Sequence, residues 1–135
     1  MPQPGGPETL GTMKDEEFEK EVSRRAGLPR DRARLLIRAT LETLADRLTA
    51  GEARDLAAQL PEPMKDWLIP STPEAEDFGL EEFVRRVSDR ARVRPEEARA
   101  AVQAVFVTLQ KAVTSGEFDD VMSQLPHQYR ELARA

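Results

Sequence analysis

A chain of 135 residues with 39% hydrophobic and 33% charged side chains has the balance of a folded, soluble protein. It offers room for one domain, or for two very small ones that gain stability by packing together. The absence of Cys excludes a disulfide framework, a thiolate metal site and a thiol nucleophile within the chain. The net charge of −5 is spread out, with 11 Lys and Arg against 12 Asp and Glu in residues 14–68 and 9 against 9 in residues 80–135, so neither half has the one-signed field that holds duplex nucleic acid or anionic lipid.

Residues 1–11 hold three Pro and three Gly and are expected to form a disordered tail. The opening MPQPGGPETLGT lacks the pattern of a signal peptide, and the longest nearly apolar run, Ala100 to Leu109, is too short to span a bilayer. A cytoplasmic location is therefore expected. Thr12 with Asp15 resembles a capping box and predicts a first helix over about 13–25, with Phe18 and Val22 inward and Gly27 ending it. From Arg30 to Thr49, Ala33, Leu36, Ile37, Thr40, Leu41, Leu44 and Leu48 keep the spacing of a long amphipathic helix, and Leu35 widens its apolar stripe. Gly51 is expected to act as N-cap of a short helix over 52–60, and Pro61 to open another with Met64, Trp67 and Leu68 buried.

Residues 70–76 read as a linker, and from Asp77 the pattern starts again. The halves 12–69 and 77–135 align without a gap at an offset of 65 residues, with 19 identities between 16–68 and 81–133. Phe18 matches Phe83, Val22 matches Val87, and Gln59-Leu60-Pro61 matches Gln124-Leu125-Pro126. Substitutions in the second copy balance volume, since Leu36 becomes Ala101 while Leu41 becomes Phe106 and Ala53 becomes Phe118. The expected fold is all-α: one compact, internally duplicated helical bundle, with two halves of about four helices each related by a pseudo-two-fold axis.

The E-F-x-x-x-V pattern at Glu17, Phe18 and Val22, the L-E-T-L-A-D-R-L run of Leu41 to Leu48 and the G-E-A-R-D-L-A-A-Q-L-P run of Gly51 to Pro61 resemble the bacterial family catalogued as domain of unknown function 2267. The resemblance covers the chain from about residue 14 onward, with departures at Phe118, Asp119 and Met122. It implies a duplicated helical fold in a cytoplasmic bacterial protein, and no activity, cofactor or site residue.

Candidate sites are few. Glu52 with Asp55, and Glu117 with Asp120, could perform acid–base work or bind a cation. Acids in a first helical turn more commonly serve free N–H groups and the helix dipole, and sequence spacing offers no third ligand. An enzyme built on them requires all four to converge in one concave pocket. His127, the sole histidine, reads as a surface residue. Arg30, Arg34 and Arg38 share a helix face that could touch phosphate, although nearby acids can neutralise it. Ser88 and the Ser71-Thr72-Pro73 run resemble kinase substrates, with helix packing the plainer role for Ser88. Trp67, Leu68 and Ile69 form an apolar group beside the linker whose plainer role is to close the core beneath it, although it could anchor a partner.

No cofactor or metal is expected. The leading expectation is a non-enzymatic module that binds another protein or itself. A nucleic-acid-associated regulator using the Arg30–Arg38 face and an enzyme using the paired carboxylates are the alternatives.

Overall fold

The computed structural model describes residues 13–70 and 74–134. The expected tail and the Ser71-Thr72-Pro73 run lie outside the described residues, as does Thr12. Among the described residues there are eight helices and no strand. We label them α1 (Asp15–Ala26), α2 (Arg30–Arg47), α3 (Ala50–Ala57), α4 (Glu62–Lys65), α5 (Leu80–Ala91), α6 (Pro95–Ala112), α7 (Ser115–Ser123) and α8 (His127–Ala133).

Each helix is bounded by local chemistry. The backbone N–H of Lys14 donates to the Glu17 carboxylate at 2.9 Å, which fixes the start of α1. Gly27 ends α1 with φ 69°, and Arg92 ends α5 with φ 58°. Thr49 and Thr114, rather than the glycines that follow them, cap α3 and α7. Each hydroxyl accepts the N–H of the glutamate three residues on, so Gly51 lies inside its helix. Pro61 likewise stands just outside α4 as its N-cap.

The two halves interleave. Helix α1 packs on α6 as well as on α2, while α5 packs on α2 as well as on α6, and α3 meets α7. Long helix α2 is consequently covered on several sides. Besides the expected stripe it buries Ala39, Thr43, Ala45 and Arg47, whereas Leu35 remains 47% exposed. Thr40, Thr43 and Thr108 become acceptable inside because each hydroxyl donates to the carbonyl four residues earlier. Phe83 meets Phe106 and Tyr129 edge-on, at centroid distances of 5.9 and 5.6 Å. Burying one leucine contributes about 2 kcal/mol and an exposed ion pair less than about 1 kcal/mol, so these crossed apolar faces dominate the arrangement.

The segment entering α5 is tied down by polar groups. Glu76 N–H donates to the Asp46 carbonyl at 2.8 Å. The Phe78 carbonyl accepts from both Arg47 Nε at 2.8 Å and the Tyr129 hydroxyl at 3.3 Å. Burial, only partly offset by Arg47, pushes the Tyr129 hydroxyl up to about 12, so it remains a donor at neutral pH.

Candidate functional site

Helices α3 and α7 begin with the same local sequence logic, Thr-x-Gly-Glu. In an ordinary capping box the glutamate carboxylate would return to the backbone N–H of the capping threonine. Here those N–H groups are already taken by the opposite half. Thr49 N–H donates to Gln124 Oε1 at 2.9 Å, and Thr114 N–H donates to Gln59 Oε1 at 2.8 Å. Each glutamine also returns its Nε2 to the same threonine's hydroxyl, at 3.3 and 3.4 Å.

The displaced carboxylates of Glu52 and Glu117 turn toward each other. Both Oε2 atoms are buried without a hydrogen-bond partner, and Glu117 is only 8% exposed. Burial raises Glu52 first, and the facing Glu117 carboxyl with the charges of Glu117, Asp120 and Asp55 raises it further, to about 8. Asp55, on the exposed side, joins them. One oxygen from each of Glu52, Asp55 and Glu117 lies within 4.8 Å of the other two. Glu52 and Glu117 do lie in first helical turns, but a third acid that spacing along the chain does not offer joins them. Spacing along one chain cannot reveal a third ligand contributed by the opposite half.

The basic face proves to be neutralised. Arg30 Nε donates to Glu19 at 2.9 Å, Arg34 reaches Glu19 at 3.3 Å and Asp15 at 3.5 Å, and Arg38 pairs with Glu42 at 3.0 Å. His127 is exposed and lies 3.3 Å from Glu131. Ser88 is buried and donates its hydroxyl to the Val93 carbonyl, as Ser23 does to Leu28. That bond closes the turn after each helix and keeps the Ser88 hydroxyl from solvent.

Of the apolar group beside the linker, Leu68 is buried, Trp67 is half-buried with the Arg34 guanidinium 5.3 Å from its ring, and Ile69 is 69% exposed. Several clefts border α6, two of them on its outer side chains Ala100 and Gln103. One of about 610 Å³ is lined by Val84, Pro95, Ala100 and Gln103 among others, and one of about 330 Å³ lies by Arg24, Arg25 and Val107. Neither contains the carboxylates.

The family described as "Uncharacterized conserved protein (DUF2267)" has a model that matches residues 15–132. No curated protein matches the chain.

Proposed function

The chain belongs to the DUF2267 family, and we propose that it is a non-enzymatic helical module of the bacterial cytoplasm that binds another protein or a second copy of itself. We read it as two copies of one four-helix unit about an approximate two-fold axis. The helix starts Asp15, Arg30, Ala50 and Glu62 are followed 65 residues later by Leu80, Pro95, Ser115 and His127. Matched positions also meet each other, Arg32 with Glu97 and Glu52 with Glu117, as positions on a two-fold axis must. No helix of the described residues is long and apolar enough to cross a membrane, which is compatible with the proposed location.

The observation that carries the binding reading is the edge at Trp67 and Ile69. Ile69 and Leu35 are the exposed large hydrophobic residues among those described, and Ile69 stands two residues from a half-buried tryptophan that packs on the core with the Arg34 guanidinium over its ring. A rigid aromatic beside an exposed aliphatic is the composition of an interface anchor. The arginine face, with its charges already paired, offers less to a phosphate backbone. For an enzyme, neither of those two clefts includes the carboxylates, and the group of three that they form contains no histidine.

A tagged pull-down from native cytoplasm, with and without nuclease, tests this with Ile69→Asp, an exposed substitution that leaves the core intact. Wild type is expected to retain a protein partner, or itself, after nuclease and Ile69→Asp to lose it. Recovery that vanishes with nuclease would instead support the Arg30–Arg38 face. No enrichment, together with a monomer at high concentration, would remove the proposal.

A further inference from the structure

The ionic contacts at matched positions differ at two places along the interface between halves. Arg32 and Glu97 are equivalent by the 65-residue offset and form an ion pair. Glu52 and Glu117 are equivalent in the same way, yet both are acids. No Lys or Arg among the described residues forms an ion pair with either of them, or with Asp55. The buried, unpartnered Oε2 of Glu117, on a residue 8% exposed, points to a missing counter-charge. An unserved buried polar atom costs roughly 1–3 kcal/mol, and more when charged.

We propose that Glu52, Asp55 and Glu117 form a binding site for one hard divalent cation, joining α3 of the first half to α7 of the second. The size fits. Oxygens on opposite sides of a Ca²⁺ ion stand about 4.8 Å apart, being each about 2.4 Å from it, and those of Mg²⁺ lie closer together. The three ligand oxygens fall within 4.8 Å of one another, the span of one ion's shell, and a small inward turn of the exposed Asp55 side chain brings all three onto one ion. The donor set is carboxylate alone, which favours Ca²⁺, Mg²⁺ or Mn²⁺ over softer metals. Exposed Asp55 provides the way in and leaves room for water to complete the shell, while buried Glu117 anchors the ion from within. Asp120, close enough to act on Glu52, adds negative charge from outside the ligand group.

A proton shared between Glu52 and Glu117 could also serve the two orphan oxygens. It leaves the third carboxylate without a role, which a divalent ion does not.

Calorimetric titration of the full chain with Ca²⁺, Mg²⁺ and Mn²⁺, paired with thermal melts, decides between them. Wild type is expected to bind about one ion per chain with Kd of about 1 mM or tighter, and to melt at higher temperature when loaded. Glu117→Gln and Asp55→Asn are each expected to weaken binding about tenfold or more, while Asp119→Asn, the same charge change on α7 outside the group, leaves it unaltered. Because Asp55 is exposed, its variant carries the test even if Glu117→Gln fails to fold. Absence of heat and of any melting shift with all three ions up to about 10 mM would overturn the site in favour of the shared proton. Equal weakening by Asp119→Asn would also overturn it, by reducing the effect to diffuse attraction to acidic surface.

Discussion

Glu21 on α1 and Lys111 on α6 meet at 3.3 Å across the two halves, and 65 residues away the same contact recurs with its charges exchanged, Arg86 on α5 facing Asp46 on α2 at 3.7 Å. Glu21 is the more heavily served. Burial raises its carboxyl, but hydrogen bonds from Arg25, Arg24 and Lys111 outweigh this and hold it at about 2. A depressed carboxylate contributes stability above its unfolded value of about 4.5 and loses it as pH falls through the folded value. Glu21→Gln is therefore expected to lower stability at pH 7 by about 1 kcal/mol, given the partial exposure of the cluster, with the difference from wild type closing between about pH 4.5 and 2. Urea unfolding across that range measures it, and a deficit that persists unchanged at pH 2 would sink the electrostatic account.

Gln59 and Gln124 determine where the glutamates go. Gln124→Leu removes the acceptor for Thr49 N–H, leaving a donor that Glu52 can reach by re-forming the ordinary capping box. The net cost is expected to be about 1 kcal/mol, at the lower end for an orphaned donor because of this compensation. A more specific consequence is that Glu52 leaves Glu117 and its carboxyl titrates well below the present value of about 8. Carbon-13 NMR titration of the side-chain carboxyls would show it; an unmoved midpoint would mean that the glutamines do not control the cluster.

Much of this fold is legible in the sequence, and the illegible part has a common cause. Apolar spacing places α2 within two residues of its end, Gly27 marks the close of α1, and the repeated Phe18 and Phe83 fall in the core. Periodicity reports which face is buried but not by which neighbour, so the interleaving of α1 with α6 and α5 with α2 has no sequence signal of its own. The carboxylate cluster was half-visible. The repeated Thr-x-Gly-Glu followed by Asp and then Gln contains every participant, but the capping preference is local, and only tertiary packing reveals that each glutamine caps the opposite half.

Gly27 and Arg92, 65 positions apart, end α1 and α5 with nearly the same left-handed backbone, φ 69° and 58°. A side chain there costs roughly 1 kcal/mol that glycine avoids. Arg92→Gly is expected to stabilise the protein by somewhat less, about 0.5 kcal/mol, because glycine also gains entropy in the unfolded chain. Gly27→Arg should destabilise by about 1 kcal/mol. No atom lies within 4 Å of a Cβ built at Gly27, so that loss is conformational and not steric. Thermal melts of both variants test the pair, and a neutral Gly27→Arg would refute the reading.

Arg47 and Tyr129 both donate to the Phe78 carbonyl, and each stands where the other half has an apolar residue, Ala112 and Met64. The two donors are redundant in one sense: removing either leaves the carbonyl with one bond. Tyr129→Phe is expected to cost about 1 kcal/mol. Arg47→Met should cost a similar amount, since its ion pair with fully exposed Asp77 adds little while its contact with the Phe78 ring is partly kept by the thioether. The double variant orphans a carbonyl at the entrance to α5, and its cost should exceed the sum of the singles by about 1 kcal/mol. A double-mutant cycle in urea measures this coupling. Strict additivity would mean that another donor reaches the carbonyl once both side chains are gone, and that the segment joining the halves is held by packing of Phe78 rather than by its backbone.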